Sequence, residues 1–212
     1  MDPFVEKILE AKKAAKPRKF TQTWDLSVNL KNIDLKKPEN KINFDFQLPH
    51  GGAAKRIAVF ADTLSAAAKE AGADLIIRKE ELEPLGQNKK KVKELAGGYD
   101  YFFGEMTVMA LVAKTMGTVL GPRGKMPKPI PPRIDLNALI ASAKKNVRIS
   151  VKDNPVIHLS VGNEQTNDEE VAANVRAVLV AVRDKLPKGL DSLRSAYLKL
   201  SMGAAVKLEI KL

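Results

Sequence analysis

A chain of 212 residues with 36 Lys and Arg against 25 Asp and Glu carries a formal charge of +11, an excess that favours an anionic partner. No cysteine and only two histidines, His50 and His158, are present, which excludes disulfides and thiolate metal sites and leaves too few ligands for zinc. No apolar run reaches spanning length, and Met1-Asp2-Pro3-Phe4-Val5-Glu6 has neither the basic nor the apolar region of a signal peptide; nucleic acid therefore ranks ahead of membrane, and a cytoplasmic location is expected.

In chain order, Trp24, Leu26, Val28 and Leu30 recur at every second residue, and Ile42, Phe44, Phe46 and Leu48 do the same. With Lys36-Lys37-Pro38-Glu39-Asn40 between them, they read as two half-buried antiparallel strands joined by a polar loop. From about residue 54 the pattern changes. Ile57-Ala58-Val59-Phe60, Leu75-Ile76-Ile77 and Tyr101-Phe102-Phe103 are short continuous apolar runs, the signature of parallel strands buried on both faces. Helices are expected over Leu64–Ala71, closed by Gly72, over a basic stretch containing Lys89, Lys90, Lys91 and Lys93 and ending near Gly97-Gly98, from Thr107 as cap to about Met116, and from Asp135 through Lys145. A further strand is expected over Val147–Val151. Strands alternating with helices imply a parallel, Rossmann-like sheet.

The last third returns to alternation at Ile157, Leu159 and Val161, at Tyr197–Leu200, and at Val206, Leu208 and Ile210. Between them Val171, Val175, Val178, Val182 and Leu186 fall on one helical face, opened by the capping-box pattern Thr166-Asn167-Asp168-Glu169. The fold expected is therefore two-domain, α/β and α+β. Residues 1–53 plus 151–212 form a discontinuous α+β domain, an antiparallel sheet with helices on one face. Residues 54–150 form an inserted, Rossmann-like, three-layer α/β domain, and the two crossings between them form a hinge. Over these spans the outer domain has 19 cations and 15 acids (+4) and the insert 17 and 10 (+7).

The densest functional signal is Gly121-Pro-Arg-Gly-Lys-Met-Pro-Lys-Pro-Ile-Pro-Pro-Arg133. Five prolines and two glycines argue against a regular element, and Arg123, Lys125, Lys128 and Arg133 accumulate with no acid, so a stiff extended arm presenting charge is expected. A solvated basic connector fits the same residues equally. It is not a phosphate-binding loop: two residues rather than four separate the glycines, and Met126 follows the lysine where magnesium needs Ser or Thr. No Gly-x-Gly-x-x-Gly opens the first strand–helix unit either. Lys19-Phe20-Thr21 offers a cation for phosphate and a ring for a ribose or base. Ser201-Met202-Gly203 is a tight turn whose glycine could take φ > 0 or let another backbone come close.

Taken together, Lys19-Phe20-Thr21, Leu48-Pro-His-Gly51, Leu120-Gly-Pro-Arg-Gly-Lys-Met-Pro-Lys-Pro129 and Ser201-Met-Gly203 resemble, in order and spacing over essentially the whole chain, the ribosomal protein L-one family, the universal large-subunit proteins of the lateral stalk. Lys36-Lys37-Pro38-Glu39-Asn40 and Gly162-Asn163-Glu164 resemble its archaeal branch. The resemblance implies a structural, non-enzymatic protein in which the domain built from both termini binds a stalk of large-subunit ribosomal RNA. It also implies assistance to deacylated tRNA leaving the exit site, repression of translation through a similar structure in the protein's own messenger, and a monomer off the ribosome with no cofactor. By motif, the RNA-binding positions are Lys19, Phe20, Asp25, His158, Ser195, Ser201, Met202 and Gly203, with Arg123, Lys125, Lys128 and Arg133 as a secondary basic loop. Family members commonly carry Thr where this chain has Ser201, which keeps the hydroxyl and loses a methyl contact. Two rivals remain at this stage: an α/β enzyme acting on phosphorylated substrates at the insert's strand ends, and an RNA chaperone with no specific site.

Overall fold

The computed structural model describes residues 3–33, 42–131, 134–151, 154–186 and 188–210. By its internal contacts the chain divides into two units, Met1–Ala53 with Lys145–Leu212, and Ala54–Lys144.

In the first unit, β1 (Thr23–Leu30) alternates half-buried and buried residues along its length. It pairs antiparallel with β8 (Val156–Asn163) on one side and β9 (Leu193–Leu200) on the other, and β10 (Val206–Leu208) extends the sheet beyond β9 in the order β10-β9-β1-β8. Helices α1 (Pro3–Ala14) and α7 (Asp168–Lys185) bury Phe4, Ile8, Val171, Val175 and Val178 against Trp24, Leu26, Val28 and Leu198 of the sheet. The Lys12 ammonium pairs with Asp168 in the first turn of α7, where a carboxylate also complements the helix dipole. A second, two-stranded antiparallel sheet joins β2 (Asn43–Gln47) to β7 (Asn146–Ser150), and Val147 and Ile149 enter the same core.

Three sequence expectations change here. The strands over 24–30 and 42–48 form no hairpin, because both edges of β1 are taken by β8 and β9 and β2 pairs with β7; the expected Lys36–Asn40 connection lies outside the described residues. Because β7 pairs with β2, residues 145–150 belong to the first unit, and the far boundary falls after residue 144 instead of 150. Lys145 and Arg148 move with it, so the first unit holds 21 cations and 15 acids (+6) and the second 15 and 10 (+5). The larger charge thus passes to the unit made from both ends of the chain. The capping box is also absent: Asn167 caps α7 without a side-chain bond, and the Thr166 hydroxyl instead donates to Asn163 Oδ1 at 2.7 Å, closing a turn after β8.

The second unit has a parallel sheet of β3 (Ile57–Phe60), β4 (Leu75–Ile77), β5 (Tyr101–Glu105) and β6 (Lys128–Ile130), in the order β4-β3-β5-β6. Every residue of β3 and β5 is buried. Alternate side chains point to opposite faces of a strand, so Ala58, Phe60 and Phe102 pack with Leu82, Val92, Val108 and Val112. Those four lie on α3 (Lys79–Gln87), α4 (Lys89–Gly98) and α5 (Met106–Leu120). Ile57, Val59, Tyr101 and Phe103 pack on the other face with Ala68 and Ile140, of α2 (Ser65–Glu70) and α6 (Leu136–Lys145). This is the expected three-layer α/β arrangement. Thr107 lies in the first turn of α5 and is not its cap, which is Glu105, and α5 runs on to Leu120. The proline-rich stretch is not wholly irregular either, since Lys128–Ile130 forms an edge strand. An edge tolerates Pro129 because only one side of the strand is needed for the ladder.

Candidate nucleic-acid interface

The alternation that buries Trp24, Leu26 and Val28 turns Asp25, Ser27 and Asn29 to the opposite, polar face of the first unit's sheet, where they are half-buried. Strand register lines this face in rows. Asp25 lies between Ser160 and Lys199, Ser27 between His158 and Tyr197 with Lys207 next on β10, and Asn29 beside Ser195. The Asn29 amide donates to the Ser195 hydroxyl at 3.0 Å. His158 and Lys207 are exposed, so the face presents cations, hydroxyls and an imidazole with one carboxylate among them. Ser27, Ser160, Tyr197, Lys199 and Lys207 were not singled out from sequence. Period-2 spacing from Asp25, His158 and Ser195 is the signal that finds the first four, and Lys207 is placed by its register opposite Tyr197.

The loop and turn of the site meet at the end of β1. The Ser201 N–H donates to the Thr23 carbonyl at 3.0 Å, and the Ser201 and Thr23 hydroxyls lie 2.8 Å apart. Thr23 Oγ1 in turn donates to Asp25 Oδ1 at 3.3 Å, and Lys199 Nζ donates to the Ser201 carbonyl at 3.1 Å. The Ser201 hydroxyl is thus engaged within the fold and joins the turn to Asp25. Gly203 does not need positive φ, contrary to one expectation. A Cβ there would lie 3.3 Å from the Ala15 Cβ and 3.4 Å from the Leu200 Cβ and carbonyl oxygen. The neighbours that a side chain there would meet are the residue after α1 and the end of the preceding strand. The side chains that do project are Phe20, 55% exposed, and Met202, 57% exposed, with Lys19 exposed beside the ring.

The secondary basic loop is in the other unit and is less available than its sequence indicates. Arg123 Nη1 donates to the Lys93 carbonyl at 3.1 Å. Lys125 Nζ donates to the Ala96 and Tyr99 carbonyls at 2.9 and 2.6 Å. Lys125 therefore satisfies carbonyls at the C-terminal end of α4, where positive charge also suits the helix dipole, and Arg123 meets a carbonyl nearer the middle of that helix. Burial lowers the Lys125 pKa below its ordinary value, and nearby Arg123 and Lys55 push the same way against the attraction of Asp100. Lys128 Nζ sits 5.7 Å from the centre of the Tyr101 ring. Arg133 lies outside the described residues.

At the C-terminal end of β5, where parallel α/β sheets usually take ligands, Glu105 is only 9% exposed. Its Oε2 accepts the N–H groups of Asp62 and Thr63 at 3.0 and 3.1 Å, and its Oε1 accepts the Thr63 hydroxyl at 2.8 Å. The chain's own carboxylate fills the ring of donors that a phosphate would use. Burial raises the Glu105 pKa, but the donors from Asp62, Thr63, Thr107 and Leu64 outweigh it, and the net direction is down. A depressed carboxylate contributes stability that is present above its unfolded value, near 4.5, and is lost as pH falls through the folded value. Glu105→Gln is therefore expected to destabilise the second unit by about 1–2 kcal/mol at neutral pH. The gap to the parent should close below about pH 4.5 in urea titrations; a gap that stays constant with pH would remove the charge from the account.

Among the described residues no group of three or more His, Asp or Glu could hold a metal ion, and no helix is long and apolar enough to cross a membrane.

Residues 11–204 match the model of the ribosomal protein L1p/L10e family. The chain is 44% identical over 205 residues to the large ribosomal subunit protein uL1 of Methanothermobacter thermautotrophicus, covering 96% of this chain and 97% of that one. It is 47% identical over 204 residues to the protein of that name from Methanothermococcus thermolithotrophicus, covering 95% of each. With the Thermococcus kodakarensis protein it shares 45% identity over 208 residues, 97% of this chain and 96% of the other. An antiparallel sheet and a parallel sheet in one chain, a family model matched over residues 11–204 and likeness over nearly the full length lead to one assignment: the chain belongs to the ribosomal protein L1p/L10e family.

Proposed function

We propose that the first unit grips a folded stalk of large-subunit ribosomal RNA with the polar face of its sheet and with the Lys19–Phe20 loop and Ser201–Gly203 turn at its end. The coarser role follows from the family: a structural, non-enzymatic constituent of the large ribosomal subunit that binds ribosomal RNA. The observation that carries the finer reading is the pair Phe20 and Met202, large apolar side chains held more than half exposed on a polar surface. Such side chains are suited to lie on bases and sugars while neighbouring cations meet phosphates. The unit's net charge of +6 supplies the general attraction.

On this reading a messenger structure that imitates the stalk occupies the same face, which accounts for autoregulation by simple competition. The second unit then contributes weaker contacts to departing tRNA through its basic loop, although Arg123 and Lys125 also bond carbonyls of α4.

Competition filter binding tests the proposal. A labelled lateral-stalk RNA fragment should be displaced by itself and by the protein's own messenger leader, and not by a large excess of unrelated duplex RNA. Equal displacement by all three would make the protein a nonspecific RNA chaperone. Arg123→Ala with Lys128→Ala should leave specific affinity almost unchanged while lowering binding to unrelated duplex.

A further inference from the structure

Gln22, immediately before β1, is 1% exposed although Phe20 and Thr21 beside it are exposed. Its side chain and backbone reach three separate segments. Oε1 accepts the Met202 N–H at 3.1 Å, and Nε2 donates to the Lys16 carbonyl at 3.4 Å. Its own carbonyl accepts the Glu164 N–H at 2.8 Å, and its N–H donates to Glu164 Oε2 at 3.3 Å. Arg18, Lys19, Phe20 and Thr21 line one shallow depression together with Glu164 and Gln165, so the turn after β8 shares a surface with the aromatic loop.

We infer that Gln22 is a positioning residue for the RNA surface. It holds the Lys19–Phe20 loop, the Met202 turn and the Asn163–Thr166 turn in one arrangement and so brings Gln165 to that surface. This rests on the reading that the first two segments touch RNA. The argument is one of order before binding. Immobilising exposed loops and long side chains on association costs affinity, and a scaffold that fixes them beforehand avoids that loss. A buried primary amide is suited to the task because its acceptor and its donors bond in fixed directions to two different backbones, while its own main chain ties down a third.

Gln22→Met in the full chain keeps length and bulk and removes both amide bonds. The expected result is about a tenfold loss of affinity for the stalk fragment, mainly through faster dissociation, with binding to unrelated duplex RNA unchanged. The readout that a merely stabilising residue would not move is coupling. Adding Gln22→Met to Met202→Ala should cost clearly less than the product of the two separate losses, because the amide acts through that turn. Fully multiplicative losses, or unchanged stalk affinity in a folded Gln22→Met protein, would overturn the inference. Should that variant not fold, Gln22→Glu keeps the acceptor for Met202 and removes the donor to Lys16, and the same cycle applies. Phe20→Ala is measured alongside. If it too leaves stalk binding intact, the RNA reading of this face fails; if it weakens binding while Gln22→Met does not, only the positioning role fails.

Discussion

Phe20→Ala should weaken binding to the lateral-stalk fragment by about 1–3 kcal/mol, the range for removing an aromatic platform from beneath a base. It should leave unfolding within about 0.5 kcal/mol of the parent, as for a surface substitution, because the ring is 55% exposed and belongs to neither core. Met202→Ala should act in the same direction with a smaller loss. Both probe the site more cleanly than Gly203→Val would. The added methyls at 203 would press on Ala15 and Leu200 within the protein, so a lost affinity there would report a displaced turn as much as a lost contact. Quantitative filter binding, with thermal melts as control, decides the matter: an affinity unchanged in both Phe20→Ala and Met202→Ala would remove this edge from the RNA surface.

The largest effect on stability is expected at Asn174. This residue of α7 is fully buried, and its amide makes three bonds to backbone: Oδ1 accepts the His50 N–H at 3.1 Å, and Nδ2 donates to the Gly51 and Val161 carbonyls at 2.7 and 2.9 Å. Asn174→Ala orphans one donor and two acceptors, the Val161 carbonyl in the buried interior and the His50 N–H and Gly51 carbonyl in part-buried positions, at up to about 1–3 kcal/mol for each group left unpaired out of reach of water. Partial relaxation leaves an expected loss of about 3–5 kcal/mol in total. The measurement is clean because Trp24, the only tryptophan, is buried in the first unit's core, so its fluorescence in urea follows that unit alone. A shift below about 1 kcal/mol would mean that the segment around His50 finds other partners. Gly51, at φ +76°, allows the chain to turn there, and Asn174 fixes where that turn is made.

Much of this architecture is legible in the residues because two periodicities differ physically. Alternation at Trp24–Leu30 and Ile157–Val161 marks strands with one wet face, and continuous runs at Ile57–Phe60 and Tyr101–Phe103 mark strands covered on both. Pairing is another matter. Nothing local in β2 distinguishes β1 from β7 as a partner, since the choice is made by which edges remain open after β8 and β9 have docked. Two helices were not expected. The apolar positions Phe4, Ile8 and Ala11 of α1 are outnumbered by lysines and glutamates, and Pro84 inside α3 argues against a helix that tertiary packing nevertheless imposes. For the site, charge-bearing motifs were visible and their directions were not. Arg123 and Lys125 read as offered cations until the carbonyls of α4 are seen to hold them. Gln22 gives no signal in sequence, because a single glutamine becomes informative only once its burial and its partners are known.

The carboxylate of Glu105, seated among the N–H groups after β3, bears on how this protein relates to the metabolism around it. An α/β layer of this kind commonly senses a nucleotide or phosphorylated metabolite at that corner, and its conformation then follows the supply of that molecule. Here the chain's own carboxylate already holds the Asp62 and Thr63 donors, so an anionic ligand would have to displace Glu105 to use them.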